Sequence, residues 1–224
     1  MERKKIGIIT IGQSPRIDAI EDIKSVLKGD EVILEKGALD EFDLEYVRKN
    51  LAPEKGDIIL ATRMKDETEV LLSEKKIIPL IQKYVYKLEE EGCNIIVLFC
   101  TGKFPEISCK HSILIYPEKL VHNIVESLIG HGTLGIMIPK KDQIPEMERY
   151  WSKKHINTKI VAASPYMDLK GIYEACESFK NSQCEFILLD CMGYSKEMCK
   201  VVKKLTGKNV ILSRTMTFTV ISEI

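Results

Sequence analysis

The sequence has 224 residues, 45% of them hydrophobic, and its 33 basic and 33 acidic side chains give a formal net charge of zero. This length suffices for one large domain or two small ones with a buried core. Because no extended basic stripe is present to neutralise phosphates, the composition argues against a nucleic-acid partner and favours small-molecule chemistry.

The N-terminal stretch MERKKIGIITIGQSPR begins with positive charge, but its apolar run is too short for a signal peptide. No apolar run approaches the ~18 residues that cross a bilayer. We therefore expect a cytoplasmic protein with no membrane contact. The seven cysteines are expected to remain thiols in a reducing compartment, and the absence of a CxxC pair argues against a structural zinc site.

Short apolar runs alternate with helix-like stretches along the whole chain. Their continuous apolarity is typical of strands that are buried on both faces. The predicted strands are IGIITI (6–11), EVIL (31–34), DIILA (57–61), NIIVLFC (94–100), ILIY (113–116), TLGIMI (133–138), KIVAA (159–163), EFILLD (185–190) and NVILS (209–213).

Apolar residues at helical spacing predict helices over 120–128, 172–179 and 198–205. A further charged helix is expected to end at Gly92. Ser14-Pro15 predicts another helix start, with Ser14 as the cap. This succession of strands and helices predicts an α/β fold with parallel sheets flanked by helices.

One segment of the chain is repeated. CNIIVLFCTG (93–102) and CEFILLDCMG (184–193) share five of ten residues, including both cysteines and the final glycine. Gly7 and Gly135 match in the strands that open each copy, and the first copy carries an insertion between residues 38 and 74. We predict two similar lobes around a shared cleft, residues 1–116 plus 213–224 and residues 117–212, with the C-terminal segment returning to the first lobe.

Each copy places its second cysteine at the carboxyl end of a strand, where parallel sheets bind ligands. Cys100 and Cys191 are each followed by a short turn that ends in glycine. The first cysteine of each copy lies about 23 Å away at the strand's start. The cysteines predicted to be ordinary buried thiols are Cys93, Cys109, Cys176, Cys184 and Cys199.

Two opposed thiols suit the inversion of a stereocentre beside a carboxylate, because one removes the α-proton while the other returns a proton. Helix N-termini and cations lower the pKa of a thiol for this task, and neither a metal nor a cofactor is required. Arg16 and Arg63 follow predicted strand ends and are candidates for clamping a carboxylate. A surface salt bridge or a contact at a helix start is the alternative for each arginine.

The motifs GQSPR (12–16), TR (62–63), CTGKF (100–104) and DCMGY (190–194) resemble the AroM family over essentially the whole chain. That family is more distantly similar to the aspartate/glutamate racemase superfamily, whose members have two similar α/β lobes with one active-site cysteine each. The resemblance implies acid/base roles for Cys100 and Cys191. The substrate-binding residues that it implies, with their neighbours, are Gly12, Gln13, Ser14, Arg16, Thr62, Arg63, Thr101, Gly102, Met192 and Gly193.

The sequence thus predicts a cofactor-independent racemase or epimerase that acts on a small carboxylate-bearing molecule. A homodimer is one assembly compatible with this prediction. A single-cysteine decarboxylase or isomerase is an alternative, because Phe99 and Thr101 flank one cysteine where Asp190 and Met192 flank the other. A non-catalytic protein that binds small anions is a third hypothesis.

Overall fold

The computed structural model describes residues 4–130 and 132–224, and the chain divides into two compact units, Met1–Glu118 and Lys119–Ile224. Each unit contains a parallel four-stranded sheet flanked by helices, which confirms the predicted α/β fold. Among the described residues, no helix is long and apolar enough to cross a bilayer.

The first unit contains strands β1 to β6 and helices α1 to α3. Their bounds are β1 Lys5–Thr10, α1 Ile17–Lys24, β2 Val32–Gly37, α2 Leu44–Tyr46 with a π-helical turn at Val47–Leu51, β3 Ile59–Arg63, β4 Glu69–Ser73, α3 Glu74–Glu90, β5 Ile95–Phe99 and β6 Ile113–Ile115. The sheet has the order β2-β1-β5-β6, with all neighbours parallel.

Helix α4, Pro117–Ile129, leads from the first unit into the second. The remaining elements are β7 Thr133–Ile138, a 3-10 turn at Lys141–Gln143, α5 Ile144–Ser152, β8 Asn157–Ala162, α6 Lys170–Lys180, β9 Cys184–Leu189, α7 Lys196–Thr206, β10 Asn209–Leu212 and α8 Ser213–Glu223. This second sheet has the order β10-β9-β7-β8, and its strands are also parallel.

The two sheets have the same strand order when each is numbered from its own first strand. The register also agrees, since Gly7 pairs with Ile96 in one sheet and Gly135 pairs with Ile187 in the other, three residues after the first cysteine of each repeated segment. The sequence repeat therefore corresponds to a repeated arrangement of strands.

The matched glycines allow a helix to lie close against the central strand. A Cβ atom at Gly7 would lie 2.8 Å from Leu88 Cδ1 of α3, and one at Gly135 would lie 3.1 Å from the Phe179 ring of α6. Leu88 and Phe179 are each five residues before the first cysteine of their repeat. Helix and strand therefore pack in the same way in the two units.

The insertion in the first unit holds α2, the π-helical turn and the antiparallel hairpin β3-β4, in which Ile59 pairs with Ser73 and Arg63 with Glu69. Residues 57–61 were predicted to belong to a parallel sheet, and this is wrong. A short apolar run fits a parallel strand and a half-covered hairpin strand equally well. Thr62 and Arg63 consequently lie inside β3 and not after it.

The predicted Ser14 helix cap is also wrong. Helix α1 begins at Ile17, and Arg16 precedes it without a capping side chain. Ser14 instead donates its backbone N–H and its hydroxyl to the Asp40 carboxylate, at 2.7 and 2.6 Å. A carboxylate is a strong acceptor, so Asp40 draws Ser14 toward the end of β2. The predicted helix end at Gly92 is confirmed, since α3 ends at Glu90 and Gly92 has a positive φ.

Helix α8 is grouped with the second unit, whereas the sequence prediction assigned residues 213–224 to the first lobe. The helix follows β10 without a loop, and buried Arg214 bonds to backbone carbonyls at residues 192 and 193 of the second unit. These bonds account for the grouping. The return of this segment to the first lobe stays a prediction.

Candidate active site

Cys100 lies directly after β5 and is half-buried. Its Sγ accepts the backbone N–H of Gly102 at 3.2 Å. A side chain at Gly102 is sterically excluded, because a Cβ atom there would lie 2.3 Å from Leu60 Cδ2 of β3. The inserted hairpin thus packs directly against the turn that carries this cysteine.

Cys191 lies two residues after β9 and is 8% exposed. Its Sγ accepts the backbone N–H of Gly193 at 3.3 Å, which repeats the arrangement at Cys100. A Cβ atom at Gly193 would lie 2.6 Å from the Tyr166 ring. In both units, a glycine two residues after the cysteine thus allows a neighbouring side chain to pack closely. The N–H of this glycine points to the sulfur, and such a hydrogen bond favours the thiolate form.

Tyr166 is a site residue that the sequence analysis missed. It lies in the loop between β8 and α6, and its hydroxyl is 3.7 Å from Cys191 Sγ. The available signal was its position after a predicted strand, at the sheet edge where ligands bind. Tyr166 packs on Gly193, whereas the apolar side chain of Leu60 packs on Gly102, the corresponding glycine of the first unit. The two thiols therefore have different surroundings.

Arg214 was also missed. It is fully buried at the start of α8, where Nε donates to the Met192 carbonyl at 2.8 Å and Nη2 donates to the Gly193 carbonyl at 3.1 Å. These bonds fix the turn whose Gly193 N–H points to Cys191. Met192 is itself 1% exposed, so its side chain lies in the core, while its carbonyl accepts the hydrogen bond that fixes the turn.

Asp190 forms a buried pair with His122 of α4, with 2.9 Å between Oδ2 and Nε2. The His122 ring also lies 5.0 Å from the Tyr150 ring and 5.1 Å from the Trp151 ring, measured between centroids. Successive residues of an extended strand point to opposite faces, so Asp190 faces α4 while Cys191 joins the cluster formed with α6 and α7.

Phe99 takes the position of Asp190 in the first unit, as the repeat predicts. The Arg16 guanidinium lies over the Phe99 ring, 5.3 Å from its centroid. An aromatic ring with a cation above it thus replaces the carboxylate–histidine pair, and the residues preceding the two cysteines are chemically different.

The loop after β1 is held by hydrogen bonds within the first unit. Gln13 Nε2 donates to the carbonyls of Leu39 and Phe42 at 3.2 and 3.0 Å, and its Oε1 accepts the Lys65 N–H at 2.8 Å. A Cβ atom at Gly12 would lie 2.4 Å from the Arg63 carbonyl oxygen. Gly12 and Gln13 thus join the first-strand loop to the inserted hairpin.

Arg16 and Arg63 meet at one carboxylate. Arg16, 3% exposed, donates from Nε and Nη2 to both oxygens of Asp18 at 2.8 Å, and Arg63 Nη2 lies 3.1 Å from Asp18 Oδ1. Thr62, beside Arg63, is fully buried. The structure therefore brings together the predicted site residues Arg16, Thr62 and Arg63, with Asp18 as the shared anion.

The remaining cysteines are free thiols. Burial raises the pKa of Cys93, and it raises the pKa of Cys176 to about 11, so both thiols are protonated at neutral pH. Cys109 was predicted to be buried but is half-buried, since it lies in the irregular segment before β6. Burial and the nearby Glu89 carboxylate still raise the pKa of Cys109, despite a hydrogen bond from Ser112.

Tyr194, the last residue of the DCMGY motif, has a packing role. It is fully buried and donates its hydroxyl to the Ala163 carbonyl at 2.5 Å. Burial, with the neighbouring Cys191, raises the pKa of Tyr194 well above its ordinary value. Across residues 4–130 and 132–224, no three His, Cys, Asp or Glu side chains are grouped to hold a metal ion.

The sequence matches the AroM protein family over residues 6–224. The chain belongs to the AroM family. The motifs around Cys100 and Cys191 therefore lie within the matched region. A comparison with curated proteins finds no match.

Several solved structures share the fold of this AroM-family chain. Picrophilus torridus aspartate racemase aligns with a TM-score of 0.60 and 14% identity over 98% of this chain and 93% of that one. Maleate isomerase Iso from Pseudomonas putida S16 aligns with a TM-score of 0.61 and 10% identity over 96% of this chain and 90% of that one. Unliganded arylmalonate decarboxylase aligns with a TM-score of 0.58 and 14% identity over 96% of this chain and 89% of that one. At these identities the likeness concerns the fold.

Proposed function

We propose that this AroM-family protein is a cofactor-independent racemase or epimerase that uses the thiols of Cys100 and Cys191 at the carbon alpha to a carboxylate of a small molecule. The observation that carries the proposal is the equivalent placement of the two cysteines. Each follows the third strand of its sheet, and each Sγ accepts the N–H of a glycine two residues later.

In the proposed reaction, one cysteine acts as a thiolate and removes the α-proton, and the other donates its thiol proton to the opposite face of the same carbon. Negative charge passes from the first sulfur through the substrate to the second. The N–H groups of Gly102 and Gly193 stabilise whichever sulfur carries the charge. Proton exchange with solvent then resets the pair.

Recognition of the substrate carboxylate is proposed for the first-strand loop and the inserted hairpin. Arg63 is 15% exposed against 3% for Arg16, so Arg63 is the better placed to share its charge between Asp18 and a substrate. Gly12 packs against the Arg63 carbonyl and the Gln13 N–H donates to it at 3.4 Å, so these residues hold that arginine in place. Ser14 and Thr62, their chain neighbours, complete the proposed recognition loop. The residues after the cysteines, Thr101, Gly102, Met192 and Gly193, shape the reacting end.

The proposal is tested by solvent exchange at the α-carbon. Panels of amino acids, hydantoins and hydroxy acids are incubated with the protein in deuterated water, and loss of the α-proton signal is followed by NMR. We expect exchange with the wild-type protein and a fall of at least about 100-fold in both Cys100→Ala and Cys191→Ala, because each removes one acid/base group.

Cys109→Ala is the matched control, since Cys109 is also half-buried but follows no sheet strand directly. It should exchange at the wild-type rate. Exchange that survives in both the Cys100 and the Cys191 variants contradicts the assignment of acid/base roles.

A single-cysteine decarboxylase or isomerase is the second candidate, and the different groups around the two sulfurs favour it. Tyr166 approaches Cys191, whereas Leu60 packs at the turn of Cys100. The fold is also shared with a decarboxylase and a maleate isomerase. Loss of exchange in Cys191→Ala alone, with Cys100→Ala fully active, would identify this reaction type.

A further inference from the structure

The two arginines that meet at Asp18 hold its carboxylate unequally. Arg16 binds it as a fork, with Nε and Nη2 each donating to one carboxylate oxygen at 2.8 Å. Arg63 reaches the same carboxylate through one contact, from Nη2 to Oδ1 at 3.1 Å. A two-point pair between a guanidinium and a carboxylate is stronger and more directional than a single contact. The contact of Arg63 is therefore the easier one to exchange for another anion.

The surroundings of Arg16 make it the lasting partner of Asp18. Its side chain is buried, its Nη1 donates to Thr10 Oγ1 at 3.2 Å, and its guanidinium lies over the Phe99 ring. A buried guanidinium keeps its charge, and losing its counter-ion would be costly. Asp18 therefore stays with Arg16 whether or not Arg63 is engaged.

Arg63 differs from Arg16 because its guanidinium retains contact with solvent. Its Nη1 lies 3.6 Å from Oε1 of Glu67, an exposed carboxylate, and an exposed ion pair of this length adds little. The Arg63 backbone is held more firmly, since its carbonyl accepts the Gln13 N–H at 3.4 Å. The base of the side chain is thus fixed, while the guanidinium can turn from Asp18 to a dissolved anion.

This group of charges lies beside the elements that carry Cys100. Arg16 covers Phe99, the residue directly before the cysteine. Arg63 ends strand β3, and Leu60 of the same strand packs on the turn that follows the cysteine. An anion taken up by Arg63 is therefore held at the end of the sheet where parallel strands bind their ligands.

We propose that Asp18 is a specificity-determining residue, which holds Arg63 in the resting protein and yields it to a single carboxylate of the substrate. The inference rests on the proposed function and deepens its recognition step. A ligand that must displace an internal competitor has an apparent affinity that is lowered by the fraction of protein in which the competitor has let go. Asp18 thus weakens the binding of every anion at Arg63.

The charge of Asp18 also selects among anions. Because Asp18 stays beside Arg63, its carboxylate repels a doubly charged group about twice as strongly as a monocarboxylate at the same distance. Such a repulsive element gives specificity that attractive contacts alone do not give. The end of the substrate that binds here therefore carries one negative charge, as a carboxylate does, and not the two charges of a sulfate.

Binding of small anions to the full-length protein tests the inference without any turnover. The probes are acetate for one carboxylate, sulfate for a doubly charged anion and acetamide as the neutral analogue. Dissociation constants are measured by ligand-observed NMR at constant ionic strength, because salt screens the charges involved. We expect acetate to bind the wild-type protein, and Arg63→Gln to bind it at least about tenfold more weakly.

Asp18→Asn removes the competing charge and keeps an oxygen that Arg16 can bind. It should tighten acetate binding by about five- to tenfold and sulfate binding by a larger factor, with no change for acetamide. Glu67→Gln is the matched control, because Glu67 is the other carboxylate near Arg63 but is exposed and more distant. It should change acetate binding by less than about twofold.

A merely structural role of Asp18 predicts the opposite sign. If Asp18 only orients Arg63, then Asp18→Asn weakens acetate binding, and this result would overturn the inference. Unchanged acetate binding in Asp18→Asn, a gain of equal size in Glu67→Gln, or a sulfate gain no larger than the acetate gain would overturn it as well.

Arginine labelling of the wild-type protein keeps the inference testable if Asp18→Asn does not fold. Phenylglyoxal modifies accessible guanidinium groups, and peptide mass spectrometry locates the modified residues. Acetate should slow the labelling of Arg63, while Arg16 should stay unmodified with and without acetate because Asp18 remains bound to it. Labelling of Arg63 that acetate does not slow, or labelling of Arg16 that acetate induces, counts against the inference.

Failure of this inference and failure of the proposed function give different results. Loss of the expected acetate gain in Asp18→Asn, with α-proton exchange intact in the wild type, rejects only the role of Asp18. Absence of α-proton exchange, with the acetate and sulfate gains present, rejects the racemase while leaving the anion site in place.

Discussion

Glu89 shows how a buried charge is accommodated in the first unit. Its side chain is 1% exposed, and one carboxylate oxygen accepts the N–H groups of Lys110, His111 and Ser112, at 2.8 to 2.9 Å, together with the Ser112 hydroxyl. Burial by itself raises the pKa of Glu89, but these four donors outweigh it and lower the pKa to about 2. The carboxylate thereby closes the segment that leads into β6.

We expect Glu89→Gln to lower the free energy of unfolding at pH 7 by about 1 to 3 kcal/mol, because a charged acceptor is replaced by a neutral one. A depressed folded-state pKa contributes stability above the ordinary value of 4.5, and this contribution is lost as the pH falls toward 2. The difference between wild type and variant should therefore shrink over that interval.

Urea unfolding at several pH values measures the effect of Glu89→Gln. Glu90→Gln, an exposed neighbour on the same helix, is the control and should follow the wild type throughout. A Glu89→Gln difference that is constant from pH 7 to pH 2 would contradict the role given to these hydrogen bonds.

At this scale the sequence predicted the positions of the cysteines but not their partners. Cys100 and Cys191 could be singled out because a repeat and a strand end are both visible along the chain. Asp190 and His122, in contrast, are 68 residues apart, and Cys191 and Tyr166 are 25 apart. Such contacts depend on where helices and loops cross the sheet, and no local pattern specifies that crossing.

At the level of elements, the repeated glycine on each opening strand sets the distance between strand and helix. Gly7 faces Leu88 of α3, and Gly135 faces Phe179 of α6. Interiors packed at this density accept little added volume, because neighbouring side chains must leave their preferred rotamers to make room. Both positions are therefore sensitive to the smallest possible enlargement.

Gly7→Ala and Gly135→Ala should each lower the free energy of unfolding by about 1 to 3 kcal/mol through overpacking. Gly171→Ala is the control, because its Cβ atom would make only an ordinary contact with Ala163 at 3.9 Å, within helix α6. That change should raise stability by about 0.5 to 1 kcal/mol, since alanine is the better helix former. Thermal unfolding of the three variants checks this, and a Gly7→Ala protein as stable as wild type would refute the packing argument.

Most elements were predictable because buried strands and amphipathic helices leave strong patterns in the sequence. The strands predicted at 133–138 and 209–213 agree with β7 and β10 to within a residue. The hairpin was not recognised, because β4 is short, with only three apolar residues in EVLLS, and because periodicity does not reveal strand direction. The start of α1 was missed since Asp40, a residue 26 positions away from Ser14, competes for the expected cap.

At the scale of the whole molecule, the two units share one strand order. Each unit carries one cysteine that is followed by a turn ending in glycine. The family match over residues 6–224 covers both units. A reaction that uses both thiols requires them to serve a single substrate carbon. The proposed reaction therefore needs a thiol from each unit, and this need can be tested without a substrate.

We expect bis(maleimido)ethane, a thiol cross-linker with a reach of about 8 Å, to join Cys100 to Cys191 within one wild-type chain, because thiols on opposite faces of one carbon lie about 7 to 8 Å apart. Cys100→Ala and Cys191→Ala should each abolish the cross-link, whereas Cys109→Ala should form it normally. Peptide mass spectrometry identifies the linked peptides. Absence of this cross-link in the wild type would argue against a shared substrate and for the single-cysteine reaction.

The packing of Leu60 on Gly102 and of Tyr166 on Gly193 has a consequence for how such proteins diversify. Both side chains belong to the segment between the second strand of a sheet and the helix that precedes its third strand. This segment carries α2 and a hairpin in one unit and is a short loop in the other. Because this segment adds no strand to the four-stranded sheets, it can change in length and composition while the scaffold is conserved. Grafting new sequences into residues 164–169 is thus a route to altered reactivity at Cys191 that leaves the core untouched.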